Sequence, residues 1–215
     1  MKLIEDRIDR KPNYIIFTGN GRTELQVLRA LPEKYDGHEL ILFFPYPPRS
    51  EKKGLAALDV IKDYLFYGYN SFIFILDGDT FEGRPADEDI KDYLTGISIE
   101  IKDINQIHQA FLINCKSGNQ EIVLYCIISG PQTFIEEEIV NLIKLTLKIE
   151  IDLSGERDNN WKRRIKKDVK RIMRENRTNY EQLIRRTGTR KLEIAFPNLC
   201  SVFKKIEEDF MRNNP

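Results

Sequence analysis

Residues 72–76, Phe-Ile-Phe-Ile-Leu, form an apolar run without a polar break, and it stops at Asp77-Gly78-Asp79. A strand with one wet face alternates apolar and polar residues. A run without alternation is buried on both faces, as in a parallel sheet covered by helices on either side. Two further runs precede it, YIIFT at 14–18 and ELILFF at 39–44. Between the first two, Thr23-Glu24 opens a helical pattern with Leu25, Leu28 and Leu31 on one face, closed by Pro32. Leu55, Leu58, Ile61 and Leu65 then recur at helical spacing before the third run. The order is β-α-β-α-β, a Rossmann-like half. The expected class is α/β, with a mostly parallel sheet and helices on both faces.

Beyond the third strand, Pro85 and the acids Asp87, Glu88 and Asp89 mark the start of a short helix at about 87–95. Strand patterns follow at 108–114 and 121–128. Lys116-Ser117-Gly118-Asn119 between them predicts a hairpin, placed at the sheet edge. Ser129-Gly130-Pro131 ends that strand and 134–149 reads as a helix. The polar break SGERDNN at 154–160 divides the chain into an α/β domain, 1–153, and a helical basic C-terminal subdomain, 154–215. Its helices are expected at 161–175, about 178–186 and 198–212.

Charge is distributed unevenly. The chain holds 34 Lys and Arg against 34 Asp and Glu, so it is neutral overall. From Lys162 to Lys191 there are 13 bases and three acids, a balance of +10, which leaves 21 bases and 31 acids, −10, for the rest. Such polarisation points to an anionic partner for the basic segment or to an internal clamp between the two parts; a solvated helix face is the plain alternative. No run approaches the roughly 20 apolar residues of a membrane helix, and the first residues lack the apolar core of a secretory signal. Cys115, Cys126 and Cys200 cannot all pair and form no CxxC, so buried thiols are expected rather than a disulfide scaffold or zinc site. His38 and His108 have no second ligand at metal spacing. These features suit a cytoplasmic protein with no membrane partner.

The chemistry concentrates at strand ends. In an open α/β sheet the ligand crevice lies outside the carboxyl ends of the strands. Asp77 and Asp79 sit there, two hard-oxygen donors of the kind that hold Mg2+ or Mn2+ while leaving waters for a substrate phosphate. An ordinary Asp-Gly turn is the alternative. The other strand end, Thr18-Gly19-Asn20-Gly21-Arg22-Thr23-Glu24, leads directly into a helix. It lacks a Walker lysine and does not satisfy GxGxxG, so it is no nucleotide fingerprint. Glu24 lies one turn into that helix, where it either complements the dipole or acts on a substrate.

With these residues placed, 13–145 resembles the Toprim domain of topoisomerases, primases, ribonuclease M5 and the overcoming-lysogenization-defect nucleases. Those proteins carry a first strand ending in Glu-Gly and a later one ending in Asp-x-Asp that binds magnesium. Here the counterparts are Thr18-Gly19 and Asp77-Gly78-Asp79; DGDTFEG at 77–83 and SGPQTFIEEEI at 129–139 extend the likeness. The resemblance implies a magnesium-dependent nuclease or related phosphotransfer protein acting on DNA or RNA. Asp77 and Asp79 would be the metal ligands. The family's acid/base glutamate falls on Thr18, which cannot move a proton at neutral pH as a carboxylate does. Either Glu24 replaces it, making Glu24, Asp77 and Asp79 the catalytic set, or the domain is a catalytically degenerate nucleic-acid-binding module of a larger complex. A nucleotidyl- or glycosyl-transferase using the DGD strand end is a further alternative. Glu136, Glu137 and Glu138 open the helix after the last strand, as dipole-compensating acids or as an outer-sphere carboxylate.

The segment 161–175, WKRRIKKDVKRIMRE, places Trp161, Ile165, Val169, Ile172 and Met173 on one stripe. Lys162, Arg163, Lys166, Lys167, Lys170, Arg171 and Arg174 occupy the other sides and, with Arg22, form the expected nucleic-acid-binding set. A cationic helix of this kind neutralises phosphates without reading sequence. A homo-oligomer or a protein partner is also compatible with this chain.

Overall fold

The computed structural model describes residues 1–5, 10–19, 21–35, 40–45, 53–81, 83–130 and 134–213. Five apolar runs become strands: β2 (Tyr14–Thr18), β3 (Ile41–Phe43), β4 (Ser71–Asp77), β6 (Ala110–Ser117) and β7 (Gln120–Ser129). Two strands escape the apolar-run pattern: β1 (Lys2–Ile4) and β5 (Glu100–Ile107) lie at opposite edges. The sheet has seven strands in the order β1-β3-β2-β4-β7-β6-β5. The pairs β1/β3, β3/β2, β2/β4 and β4/β7 are parallel, and β7/β6 and β6/β5 are antiparallel. The protein is therefore α/β with a mostly parallel sheet. The β6/β7 hairpin forms as expected but is not at the edge: β7 pairs with β4 and β5 is outermost.

Helices cover both faces. On one face lie α1 (Arg22–Leu28), α4 (Glu136–Leu147), α5 (Asn159–Glu175), α6 (Tyr180–Arg186), α7 (Thr189–Ala195) and α8 (Pro197–Asn213), packed on Ile16, Ile73, Ile75, Tyr125 and Ile127. On the other lie a 3-10 helix at Gly54–Asp59, α2 (Val60–Phe66) and α3 (Ala86–Gly96), over Ile15, Phe17, Phe72, Phe74, Leu124 and Cys126. This division follows from handedness. The chain leaves β2 for β3 on one side, then crosses back over β2 to reach β4 on the other. Right-handed crossovers in opposite directions put their helices on opposite faces. The point where the direction reverses lies between β2 and β4, where Thr18-Gly19 and Asp77 end their strands.

The stripe read on α5 is fully buried: Trp161, Ile165, Val169, Ile172 and Met173 belong to the same apolar layer as the sheet residues beneath α4. The three cysteines are free and buried. His108 is an exposed turn residue between β5 and β6 with φ of 56°, whereas His38 lies outside the described residues. No helix among the described residues is long and apolar enough to cross a membrane.

Candidate active site

Strand alternation decides where Asp77 points. Ile73, Ile75 and Asp77 share one face of β4; Tyr125, Ile127 and Ser129 share the same face of β7, with Asp77 and Ser129 in register. Both therefore project beneath α1 and the start of α4. Asp77 Oδ1 lies 3.1 Å from the Ser129 hydroxyl and accepts the Ile135 N–H at 3.1 Å. The chain can turn back so sharply because residue 130 is glycine. Its φ is 74°, and a Cβ there would stand 2.3 Å from the Phe134 carbonyl oxygen.

The loop after β2 is also shaped by close approach. A Cβ on Gly19 would meet Leu76 Cδ2 at 2.5 Å and the Gly54 carbonyl at 3.0 Å, so this glycine serves the packing of β2 against β4 and the Gly54 turn. Gly21 follows at φ 136° and α1 begins. That brings Glu24 into the site: it is buried, and its carboxyl is pushed up to about 8 by burial first and then by the charges of Asp77 and Glu136, with Lys166 opposing. Asp77 is raised to about 6, again by burial first, then by Asp79 and Glu136 against the lowering bonds from Ser129 and Ile135.

The first turn of α4 supplies the carboxylates that the sequence pattern left as either dipole-compensating acids or an outer-sphere carboxylate. Glu136, Glu137 and Glu138 are only 4, 2 and 1 % exposed. Glu136 Oε1 accepts the Thr23 hydroxyl at 3.1 Å and lies 3.6 Å from Lys166 Nζ. Glu137 Oε1 faces Arg157 Nε at 3.4 Å. Among the described residues neither oxygen of Glu138 has a full hydrogen-bond partner, although the Gly130 N–H lies near enough to favour its charged form. Burial, with Asp77 and Glu137 nearby, raises Glu138 to about 8. The sequence signal for this group was the triple-acid run directly after a strand that pairs with the DGD strand.

The basic helix α5 meets these acids directly. Lys162 Nζ is hydrogen-bonded to Asp79 Oδ2, and Lys166, one turn on, faces Glu136. The other bases divide. Arg171 pairs with Asp168 and Glu175 on its own helix. Arg163, Lys167, Lys170 and Arg174 are exposed and, at spacings of four, three and four, form one outer stripe. The side chain of Arg22 lies outside the described residues. Arg84 turns to Asp89 and Asp92 of α3, at 2.9 and 3.0 Å, rather than to the acidic loop.

Glu24, Asp77, Asp79 and Glu136 thus come from α1, the end of β4, the 3-10 turn Gly78–Thr80 after it and the start of α4 to one mostly buried cluster at the strand ends, with two ammonium groups opposite. Among the described residues, no three His, Cys, Asp or Glu side chains stand close enough to hold a metal ion as they lie. The donor chemistry nonetheless suits a divalent cation: hard oxygens, largely buried, raise one another's proton affinity, and a cation would relieve that repulsion. No family model matches the chain, and neither a curated protein nor a solved structure matches it.

Proposed function

We propose that the chain is a Toprim-like, metal-dependent nuclease or related phosphotransfer protein acting on nucleic acid. The observation that supports this most is the meeting of Glu24, Asp77, Asp79 and Glu136 at the reversal point of a parallel sheet, faced by Lys162 and Lys166 of a strongly basic helix. Asp77 and Asp79 are the residues that would hold Mg2+ or Mn2+, and the ion would supply charge stabilisation to phosphoryl oxygens. Glu24 takes the acid/base part left open by Thr18. In the metal-free chain, burial and the charges of Asp77 and Glu136 raise its carboxyl to about 8, and a cation held at Asp77 and Asp79 would lower it and so help it release a proton. Lys166 stands near enough to contribute positive charge, and the outer stripe of α5 would track the phosphate backbone.

The test is cleavage of single- and double-stranded DNA and RNA with Mg2+ or Mn2+, using Asp77→Asn/Asp79→Asn as control, beside calorimetric titration of Mg2+. Metal-dependent cleavage lost in the double variant is expected. Equal Mg2+ binding by variant and parent would sink the metal assignment. The Lys162–Asp79 pair favours a second reading, a non-catalytic nucleic-acid-binding module whose acids are neutralised by the protein itself. Tight nucleic-acid binding without cleavage under any metal would select it.

A further inference from the structure

On the sheet face opposite Asp77, at the same strand ends, a cleft of about 540 Å³ opens beside the start of α3, over the ends of β5 and β7 and the start of β6. Gly78, the residue between the two candidate metal ligands, forms part of its wall. The cleft and the acidic crevice are therefore separated by one residue of backbone. Its size falls in the range of small-molecule sites, roughly 300–1,000 Å³.

The lining selects against a second phosphate. Arg84 at the rim spends its charge on Asp89 and Asp92, and Asp87 adds a carboxylate. The floor is apolar, made by buried Phe111 and by half-buried Phe81, Ile104 and Ile128. Two carboxamides, Gln106 and Gln109, supply the polar groups. They lie at the β5–β6 turn and are held there: Gln106 Nε2 donates to the His108 carbonyl at 2.8 Å, and Gln109 Oε1 accepts from Asn198 Nδ2 at 3.5 Å while its backbone N–H donates to Asn198 Oδ1 at 3.2 Å. Among the described residues this leaves the Gln106 oxygen and the Gln109 Nε2 amide free for a ligand. An aromatic floor with carboxamide donors and acceptors at its edge suits a flat heterocycle with a mixed hydrogen-bonding edge, not an anion.

We propose that this cleft holds one unstacked nucleobase of the nucleotide whose phosphate lies at Asp77 and Asp79. The proposal rests on the nucleic-acid reading of the acidic crevice and narrows its substrate to single-stranded, frayed or extruded nucleotides, because a paired base cannot enter. Phe81, two residues past Asp79, is the ring placed to stack on the base.

The test compares adenosine 5′-monophosphate with ribose 5-phosphate by calorimetry on the full chain in Mg2+. The nucleotide should bind about tenfold tighter. Phe81→Ala should bring it down to the sugar phosphate's affinity, and so should Ile104→Glu, which places a charge on the floor. Circular dichroism checks that both variants keep the fold. Equal binding of the two probes by the parent, including no binding of either, overturns the base site. So does a preference that survives both substitutions. Cleavage of single-stranded oligonucleotides is measured in parallel. A base preference lost in both variants, without cleavage by the parent, keeps the base site and removes the nuclease. Equally fast cleavage at abasic and base-bearing linkages keeps the nuclease and overturns the base site.

Discussion

Asp77 Oδ1 accepts the backbone N–H of Ile135 at 3.1 Å, so the carboxylate that ends β4 also secures the start of α4. The helix it holds is the one whose first turn carries Glu136, Glu137 and Glu138, of which Glu136 joins Asp77 and Glu24. One residue thus links the sheet to the second source of carboxylates. Its structural duty needs only an acceptor oxygen, whereas its proposed metal duty needs a negative charge. The two duties can be separated chemically.

Asp77→Asn keeps an acceptor for Ile135 and removes a desolvated charge beside Glu24 and Glu136, so its stability should equal or exceed the parent's. Asp77→Ala strands the buried Ile135 N–H and should cost about 1–3 kcal/mol. Urea unfolding of both variants measures the difference. Equal losses would show that the charge, not the acceptor, holds α4 in place.

The raised carboxyls predict the pH dependence of the metal-free chain. Glu24 and Glu138 stand at about 8 in the folded state against 4.5 ordinarily, so between these values the folded chain keeps protons that the unfolded chain releases. Their contribution is complete below about 4.5 and is lost as pH rises through about 8. The slope is at most about 1.4 kcal/mol per pH unit for each retained proton. Urea midpoints in a chelator should fall from pH 5 to pH 9. Glu24→Gln, which carries no charge to expel, should be the more stable chain at pH 8. A flat profile would mean that these carboxyls ionise freely.

The strands that frame the site were legible in the sequence because burial on both faces leaves unbroken apolar runs. The two edge strands were not. In β5, Ile101, Ile104 and Ile107 recur every three residues, which imitates a helix; a bulge between Ile101 and Asp103 puts Ile101 and Ile104 on one face. Lys102 and Glu100, paired across to Glu121 and Lys116, give it the charged character of an exposed edge. In the crevice, Asp77 and Asp79 were legible from their position at a strand end. The burial of Glu136–Glu138 was not, because it depends on where α5, α7 and α8 dock around α4. Nor could spacing alone show that Lys162 and Lys166 face the acids while the next bases round the helix face outward.

Lys162 already engages Asp79, so on the proposed metal reading a divalent cation would have to compete with it for that carboxylate. The pair is partly exposed, so breaking it costs about 0.2–1 kcal/mol. Lys162→Met should therefore bind Mg2+ up to about fivefold more tightly than the parent in calorimetry. Weaker binding would mean that Lys162 positions Asp79 for the ion instead of opposing it.

The outer stripe Arg163, Lys167, Lys170 and Arg174 makes a separate prediction, because among the described residues none of these four has an ion pair of the kind that engages Lys162, Lys166 and Arg171. Each phosphate that a cation neutralises adds about 0.9 to the slope of log affinity against log salt on duplex DNA, and about 0.7 on single strands. Replacing all four with Ala should reduce that slope by about 3.6 on duplex DNA and about 2.8 on single strands, and weaken binding without regard to sequence. Stability should change little, since none of the four packs in the apolar layer. Replacing Lys166 alone should act differently: the slope changes by one contact at most, while Glu24 and Glu136 lose a compensating charge and the chain becomes less stable near pH 8. Fluorescence anisotropy across a salt series, paired with urea melts, separates the two classes. An unchanged slope in the fourfold variant would return the stripe to a solvated helix face and place the phosphate contacts elsewhere on the chain.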